Sequence, residues 1–222
     1  KLLKTRCDLI NSHGYLYYYT LVTSLRRFIN RVPIVFTFHG YRLKSNLLKE
    51  AIGFVRDHIE GRMILDFCDK IITTTFINRA VLINKFNIPK NKILIIPCGI
   101  DTTFFKIESD GKFFKEKYNL QKKKIILYIG RLEKHKGPQY LLLSLNSLLR
   151  IDPNFRLVII GDGTYKPTLL KLTNKLGLNN KVIFTGILSR KLIKQAYLAS
   201  DFFVAPSTYE PFGIVLLEAM AC

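Results

Sequence analysis

The stretch STYEPFGIVLLEAM, residues 207–220, decides the fold of this chain. The preceding DFFVAP, residues 201–206, is typical of a buried strand that ends in a loop, and the apolar residues after Pro211 indicate a helix. Proline suits a first helical turn, because its missing N–H would have no partner there. We therefore predict that Glu210 lies at a strand-to-helix junction and that Glu218 lies more than a turn inside the helix.

The start of this predicted helix has the properties of an anion site. Backbone N–H groups at a helix start have no partner within the helix and attract anions, phosphate above all. The amides in question are those of Phe212, Gly213, Ile214 and Val215. A ligand that carries both phosphates and hydroxyls would suit these amides and the two glutamates.

Apolar strands alternate with helical patterns in two blocks of the chain. In the first block we predict strands at 8–12, 34–38, 70–74 and 92–96, with helices at 15–29, 47–67 and 76–86. In the second we predict strands at 125–129, 156–160, 182–185 and 202–205, with helices at 138–149, 168–176 and 190–198. Strands that are apolar throughout and alternate with helices indicate parallel sheets covered on both faces.

The two blocks predict an α/β protein with two Rossmann-like domains. Residues 1–97 form the first, 98–124 a linker and 125–222 the second. The first strand has no βα units before it, and the helix that holds Glu218 runs to Cys222. We therefore expect a fragment, with only the C-terminal part of the first domain and a second domain that lacks its last strand and helices.

Composition narrows the class of protein. No apolar run in the 222 residues reaches the roughly 18–20 residues that span a bilayer. The cysteines, Cys7, Cys68, Cys98 and Cys222, show no paired spacing, so we expect reduced thiols in the cytoplasm rather than a zinc site or a redox pair.

The net charge of +19 leaves three interpretations open. They are a solvated basic surface, peripheral contact with an anionic membrane at its inner face, and nucleic-acid binding. The positive surplus is spread along the whole chain rather than gathered in a tail. No recognition-helix pattern or aromatic-basic platform supports nucleic acid, and we expect none as a partner.

Charged residues and glycines follow several of the predicted strands. Gly130 and Arg131 come after one strand, and Lys136 precedes the next helix, so two cations lie where α/β sheets bind ligands. Arginine can fork onto phosphate oxygens and lysine acts as a point charge. The alternative is that Arg131 and Lys136 are ordinary surface residues with no ligand. The GDG at 161–163 allows a tight turn or close approach to a ligand, and it lacks the spacing of a dinucleotide fingerprint.

The first block carries weaker signals. His39 ends the strand at 34–38 and could hydrogen-bond a ligand or play a structural part, and His13 repeats the pattern after the first strand. The tyrosine run at 15–19, with Arg26 and Arg27, fits either core packing or a membrane-facing helix.

Together these motifs resemble the retaining glycosyltransferases of family four. The order is G-R-L…K-G, then G-D-G, V-I-F-T-G and P-S-x-x-E-P-F-G-I-x-x-L-E-A-M-A, and Glu210 and Glu218 have the spacing of the family's E-x7-E motif. Cys98 stands where the family usually has Asn. The resemblance implies the GT-B fold, in which two Rossmann-like domains with parallel sheets face each other across a cleft.

The resemblance also implies a role for each motif. The turn at Gly130 and Arg131, with Lys136, would hold the donor diphosphate, together with the amides of 212–215. Glu218 would accept hydrogen bonds from the ribose, and Gly186 and Ile187 would border the base. Glu210 would lie beside the transferred sugar as a catalytic residue. His39, the second catalytic residue, would contact the sugar or the acceptor from the other domain.

The activity so implied is transfer of a hexose, with retention of configuration, from a UDP- or GDP-sugar to a glycan or a lipid-linked acceptor. No cofactor or metal ion is expected, because fixed cations and a helix start can stabilise the leaving diphosphate. Alternatives are other GT-B chemistry, as in a phosphorylase or a sugar-nucleotide epimerase, and a non-catalytic sugar-nucleotide binder. We expect no measurable transfer by the 222 residues alone.

Overall fold

The computed structural model describes residues 6–14, 31–40, 61–107 and 110–222. The chain divides into two compact units, Lys1–Cys98 and Gly99–Cys222. The helix predicted at 15–29, the tyrosine run within it and most of the helix predicted at 47–67 lie outside the described residues.

The first unit contains a parallel four-stranded sheet in the order β1-β2-β3-β4. Its described elements are β1 (Ile10–His13), β2 (Ile34–Phe38), α1 (Arg62–Phe67), β3 (Lys70–Thr73), α2 (Phe76–Phe86), a 3₁₀ turn (Lys90–Lys92) and β4 (Ile93–Ile95). Phe36 and Phe38 of β2 are completely buried, and they pack in one core with Ile71, Leu82 and Phe86.

The second unit contains another parallel sheet, in the order β7-β6-β5-β8. Its described elements are α3 (Lys112–Lys117), β5 (Lys124–Ile129), a 3₁₀ turn (Lys134–Lys136), α4 (Pro138–Ile151), β6 (Phe155–Ile160), α5 (Lys166–Lys175), β7 (Val182–Gly186), α6 (Arg190–Ala199), β8 (Phe202–Phe203) and α7 (Ile214–Ala221). This alternation of strands and helices confirms the predicted α/β class.

The inner strand β5 is apolar from Ile125 to Ile129 because both of its faces are buried. Ile125, Leu127 and Ile129 enter one core of the second unit, while Ile126 and Tyr128 enter the other. Successive side chains of a strand point to opposite faces, so a sheet covered on both faces needs an apolar residue at every position. The sheet therefore presents only its edges and strand ends to a ligand.

The segment for which we expected a linker, 98–124, belongs to the second unit from Gly99 onward and contributes to its core. Phe105, Phe114 and Leu120 are buried in the core that also contains Ile125 and Leu127 of β5. Arg190 of α6 lies over the ring of Phe104, 4.7 Å from its centroid. Aromatic side chains thus anchor this stretch to the helical layer of the unit.

The predicted start of the last helix is wrong by three residues. Helix α7 begins at Ile214, and its N-cap Gly213 has a φ of +84°, in the left-handed region. A helix cannot continue back through that conformation, so Pro211 lies in the preceding loop instead of the first turn. The amides of Ile214 and Val215 therefore form the helix start, while those of Phe212 and Gly213 belong to the loop.

Candidate functional site

Three neighbouring strands of the second unit end at glycines on one edge of the sheet. The amide of Gly130 donates to the carbonyl of Ile160 at 3.0 Å, and the amide of Gly161 donates to the carbonyl of Gly186 at 2.9 Å. A Cβ atom at Gly161, whose φ is +133°, would overlap the carbonyl oxygen of Gly130. The backbones therefore approach closely here, and the edge presents main chain rather than side chains to a ligand.

Two loops meet above this edge. The amide of Thr208 donates to the carbonyl of His135 at 2.8 Å, and the Thr208 hydroxyl donates to the same oxygen at 3.1 Å. Gly137 approaches Pro206 so closely that a Cβ atom would overlap the proline carbonyl. The 3₁₀ turn before α4 and the loop after β8 are thereby fixed against each other.

The two loops bring together a cation and an acid that the sequence places 74 positions apart. Lys136 Nζ lies 2.8 Å from Glu210 Oε2, and the side chains are only 15% and 28% exposed. The Ser207 hydroxyl donates to the same carboxylate oxygen at 3.2 Å. A hydrogen bond between two charged groups in such a partly buried place is stronger than a surface ion pair.

Arg131 does not join this pair. Its Nη1 lies 2.8 Å from Glu133 Oε1, and its side chain is 73% exposed. The other oxygen of Glu133 lies 3.3 Å from His135 Nδ1. The structure thus gives Arg131 an acidic neighbour that the sequence analysis did not consider.

Tyr128 holds the turn that carries Arg131. Its hydroxyl donates to the Arg131 carbonyl at 3.1 Å, from a side chain that is almost completely buried. Burial raises the pKa of the Tyr128 phenol, and the negative charges of Glu210 and Glu133 raise it further. The phenol therefore stays protonated, and its hydrogen bond to the turn persists at neutral pH.

Glu218, half-buried on α7, contacts α6. Its Oε2 accepts a hydrogen bond from the Tyr197 hydroxyl at 3.0 Å. The same hydroxyl lies 3.1 Å from the Val215 carbonyl. Burial raises the pKa of Tyr197, and the neighbouring carboxylate adds to the effect, so Tyr197 remains the donor.

The residues expected to border a base, Gly186 and Ile187, are the last residue of β7 and the residue after it. Gly186 has a φ of +73°, and the ladder between β6 and β7 shifts register beside it, pairing Ile160 with Gly186. Ile187, the next residue, is 82% exposed. An exposed apolar side chain beside a main-chain edge is compatible with a flat ring as ligand.

In the first unit, His39 contacts His13. His13 is the last residue of β1, and His39 directly follows β2. His13 Nδ1 lies 3.0 Å from His39 Nε2, and the two rings are stacked. Burial lowers the pKa of His39, and the neighbouring His13 lowers it further. The sequence analysis noted each histidine after a strand but not that the β1–β2 pairing would bring them together.

Four polar residues of the site were missed by sequence reasoning: Ser207, Glu133, Tyr128 and Tyr197. Ser207 lies three positions before Glu210 in the same loop, so spacing could have identified it. Tyr128 belongs to an apolar strand and Tyr197 to an amphipathic helix, where each resembles an ordinary core residue. Within the described ranges, no group of three or more His, Cys, Asp or Glu side chains could hold a metal ion.

The chain is similar to glycosyltransferases throughout its length. Residues 110–222 match the family described as Glycosyl transferases group 1, and residues 1–104 match Glycosyltransferase Family 4. An uncharacterized glycosyltransferase of Methanocaldococcus jannaschii is 30% identical over 96% of this chain and 55% of its own length. The mannosylfructose-phosphate synthase of Agrobacterium fabrum is 32% identical over 82% of this chain and 42% of its own. The chain thus spans about half the length of these relatives.

Solved structures show the same fold. HepE of Anabaena, in complex with UDP-glucose, is 25% identical, with a TM-score of 0.80 over 97% of this chain and 57% of that protein. The sucrose-phosphate synthase of Thermosynechococcus elongatus is 24% identical, with a TM-score of 0.76 over 97% and 54%. These neighbours confirm the expected GT-B fold class.

Proposed function

The chain belongs to the glycosyl transferases of group 1, and from this membership we propose that the full-length protein moves a hexose from a nucleotide-diphosphate sugar to a glycan or a lipid-linked acceptor. The Anabaena neighbour was solved with UDP and with UDP-glucose, which supports a UDP-sugar as donor, with a GDP-sugar as the alternative. We propose transfer with retention of configuration, as in the family that the motifs resemble.

The contact between Lys136 and Glu210 carries the proposal. When the bond between the anomeric carbon and the diphosphate breaks, negative charge develops on the leaving phosphate and positive charge on the sugar. A lysine and a carboxylate held together at the glycine-rich edge can each stabilise one of these charges. In our proposal Lys136 shifts its hydrogen bond towards the phosphate, and Glu210 then faces the sugar.

The remaining residues take roles around that pair. The amides at the start of α7, the turn at Gly130 and the exposed guanidinium of Arg131 would bind the diphosphate. Glu218 would accept hydrogen bonds from the ribose hydroxyls. The turn at Gly186 would border the base. The acceptor oxygen would attack the face that the diphosphate leaves and give its proton to a phosphate oxygen. His39 would contact the acceptor or the sugar.

We further propose that the protein acts in the cytoplasm, in peripheral contact with the inner face of the membrane. The net charge of +19 supports attraction to anionic headgroups, and a lipid-linked acceptor would be presented there. The described part of the chain contains no helix with the length and apolar content of a membrane span.

Substitution in the full-length protein tests the assigned roles. Lys136→Met, Glu210→Gln and Arg131→Ala should each lower turnover at least about tenfold, which corresponds to about 1.4 kcal/mol of transition-state stabilisation. Lys134→Met is the matched control, because Lys134 lies exposed in the same 3₁₀ turn as Lys136. Melting temperatures would exclude unfolding, and product analysis would distinguish transfer from phosphorolysis or epimerisation. Unchanged turnover in Lys136→Met and Glu210→Gln would refute the proposal.

A further inference from the structure

The aromatic ring of Tyr197 is held rigidly in the core of the second unit. The side chain is only 5% exposed. Phe203 of β8 meets the ring edge-on at a centroid distance of 5.4 Å. Phe105, which precedes α3 in the chain, does so at 6.2 Å. Such edge-to-face pairs fix the plane of the ring, and with it the position of the hydroxyl.

The hydroxyl of Tyr197 lies at the edge of this core and contacts helix α7. It lies 3.0 Å from Glu218 Oε2 and 3.1 Å from the Val215 carbonyl oxygen. A phenol has one proton, so the two acceptors share a single donor. Val215 and Glu218 are three positions apart on the helix, and the shared donor therefore ties the glutamate side chain to the first turn of α7.

This contact restricts the rotamers available to the Glu218 side chain. A glutamate loses considerable rotamer freedom when it is fixed, and a ligand that fixes it must offset that loss. Here the protein has already fixed one carboxylate oxygen. Tyr197 is also the one residue of the described chain whose hydrogen bond to the Glu218 carboxylate the structure shows.

We propose that Tyr197 is a positioning residue, which holds the Glu218 carboxylate in the orientation that binds the ribose hydroxyls of the donor. The inference rests on the proposed function, because it assumes that Glu218 binds the ribose. Tyr197 acts only through Glu218 and does not touch the ligand. A packing role alone would need the ring but not the hydroxyl.

Tyr197→Phe separates the two roles, because it keeps the ring between Phe105 and Phe203 and removes the hydroxyl. Tyr118→Phe is the matched control: Tyr118 packs against the same core, beside Phe114, and also loses a hydroxyl. Calorimetry on the full-length protein would compare UDP with 2′,3′-dideoxy-UDP, and GDP with its dideoxy analogue. The preference for the intact ribose is the readout.

We expect Tyr197→Phe to reduce that preference about fivefold, the effect of one hydrogen bond, and to leave affinity for the dideoxy nucleotide unchanged. Tyr118→Phe should change neither. In a Glu218→Ala background the tyrosine substitution should have no further effect, since coupled residues are not additive. A lower melting temperature with an unchanged ribose preference would assign Tyr197 to packing and overturn the inference.

Failure of the proposed function would give a different result. If the parent protein bound both nucleotides no better than their dideoxy analogues, Glu218 would not be a ribose ligand, and the inference would fall with that assignment. If it bound neither nucleotide at all, the nucleotide-sugar proposal itself would be refuted. Only a parent with a clear ribose preference that survives Tyr197→Phe contradicts the positioning role alone.

Discussion

Two buried phenols hold residues of the candidate site in the second unit. Tyr128 donates to the turn that carries Arg131, and Tyr197 donates to Glu218. Burial is the main reason why the pKa of each phenol lies above its ordinary value of 10.0, and nearby carboxylates add to the shift. Both tyrosines thus remain hydrogen-bond donors at neutral pH, where the carboxylates are ionised.

The raised pKa of Tyr197 predicts a loss of stability at alkaline pH. In the folded state the phenol holds its proton to higher pH than in the unfolded chain, so the unfolded state releases protons first. Its contribution to the free energy of unfolding is complete below about pH 10 and falls as pH rises towards the folded pKa. Urea unfolding from about pH 8 to about pH 11 should show a shallower decline for Tyr197→Phe than for the parent. Equal slopes would contradict the shift.

The contact between His13 and His39 in the first unit predicts a lowered pKa for His39. Its pKa should lie below the ordinary value of 6.5, first because of burial and second because His13 lies beside it. Imidazole chemical shifts followed by NMR would measure it directly. In a His13→Gln variant the pKa should rise only in part, because the burial remains. Titration of His39 at or above the value of free histidine would contradict the described contact.

At the scale of elements, the candidate site depends on two loops whose main chains approach each other closely. Thr208 fastens one loop to the carbonyl of His135, and Gly137 leaves room for the carbonyl of Pro206. The lysine and the glutamate of the site are carried by these loops. Their distance is therefore sensitive to main-chain positions several residues away.

Gly137→Ala tests that dependence. The new Cβ would overlap the Pro206 carbonyl, so the loops must separate and turnover should fall. The free energy of unfolding should decrease by well over about 1 kcal/mol, because an alanine in the left-handed region already costs roughly that much without any overlap. Gly177→Ala is the control, because Gly177 has a similar φ, +68° against +76°, and no neighbouring atom within 4 Å of the new Cβ. Urea denaturation gives both costs. Equal destabilisation by the two substitutions would show that the close approach is unimportant.

Local patterns were sufficient to predict most described elements but not the contacts between them. The strand Ile34–Phe38 and the helix Phe76–Phe86 match the sequence predictions at both ends, because apolar runs and turn residues mark them clearly. The start of α7 was missed, since the left-handed Gly213 overrides the preference of proline for a first turn.

Within the site, too, individual residues were predicted but the contacts between them were not. Lys136 and Glu210 were each predicted to serve it, whereas their direct contact joins segments far apart in the chain and has no local signal. The contact of Arg131 with Glu133 depends on the shape of the loop, which the sequence does not reveal. Tyr197 was missed because only the packing of α6 against α7 brings its hydroxyl to Glu218.

At the scale of the whole molecule, the charge of +19 is the dominant property. We predict that the protein sediments with vesicles that contain anionic lipid at low ionic strength, and that about 0.5 M salt releases it, because screening weakens such attraction. Vesicles of purely zwitterionic lipid are the control. Failure to sediment with anionic vesicles at low salt would count against the proposed membrane contact.

The contact between Lys136 and Glu210 has a consequence for the range over which a ligand is recognised. At long range, the opposite charges of the lysine and the carboxylate cancel and leave only a dipole. The field of a dipole declines faster with distance than the field of a single charge. Long-range guidance of an anion must then come from the other cations of the chain. Selection by the pair itself acts only at contact and depends on the angle at which the ligand arrives.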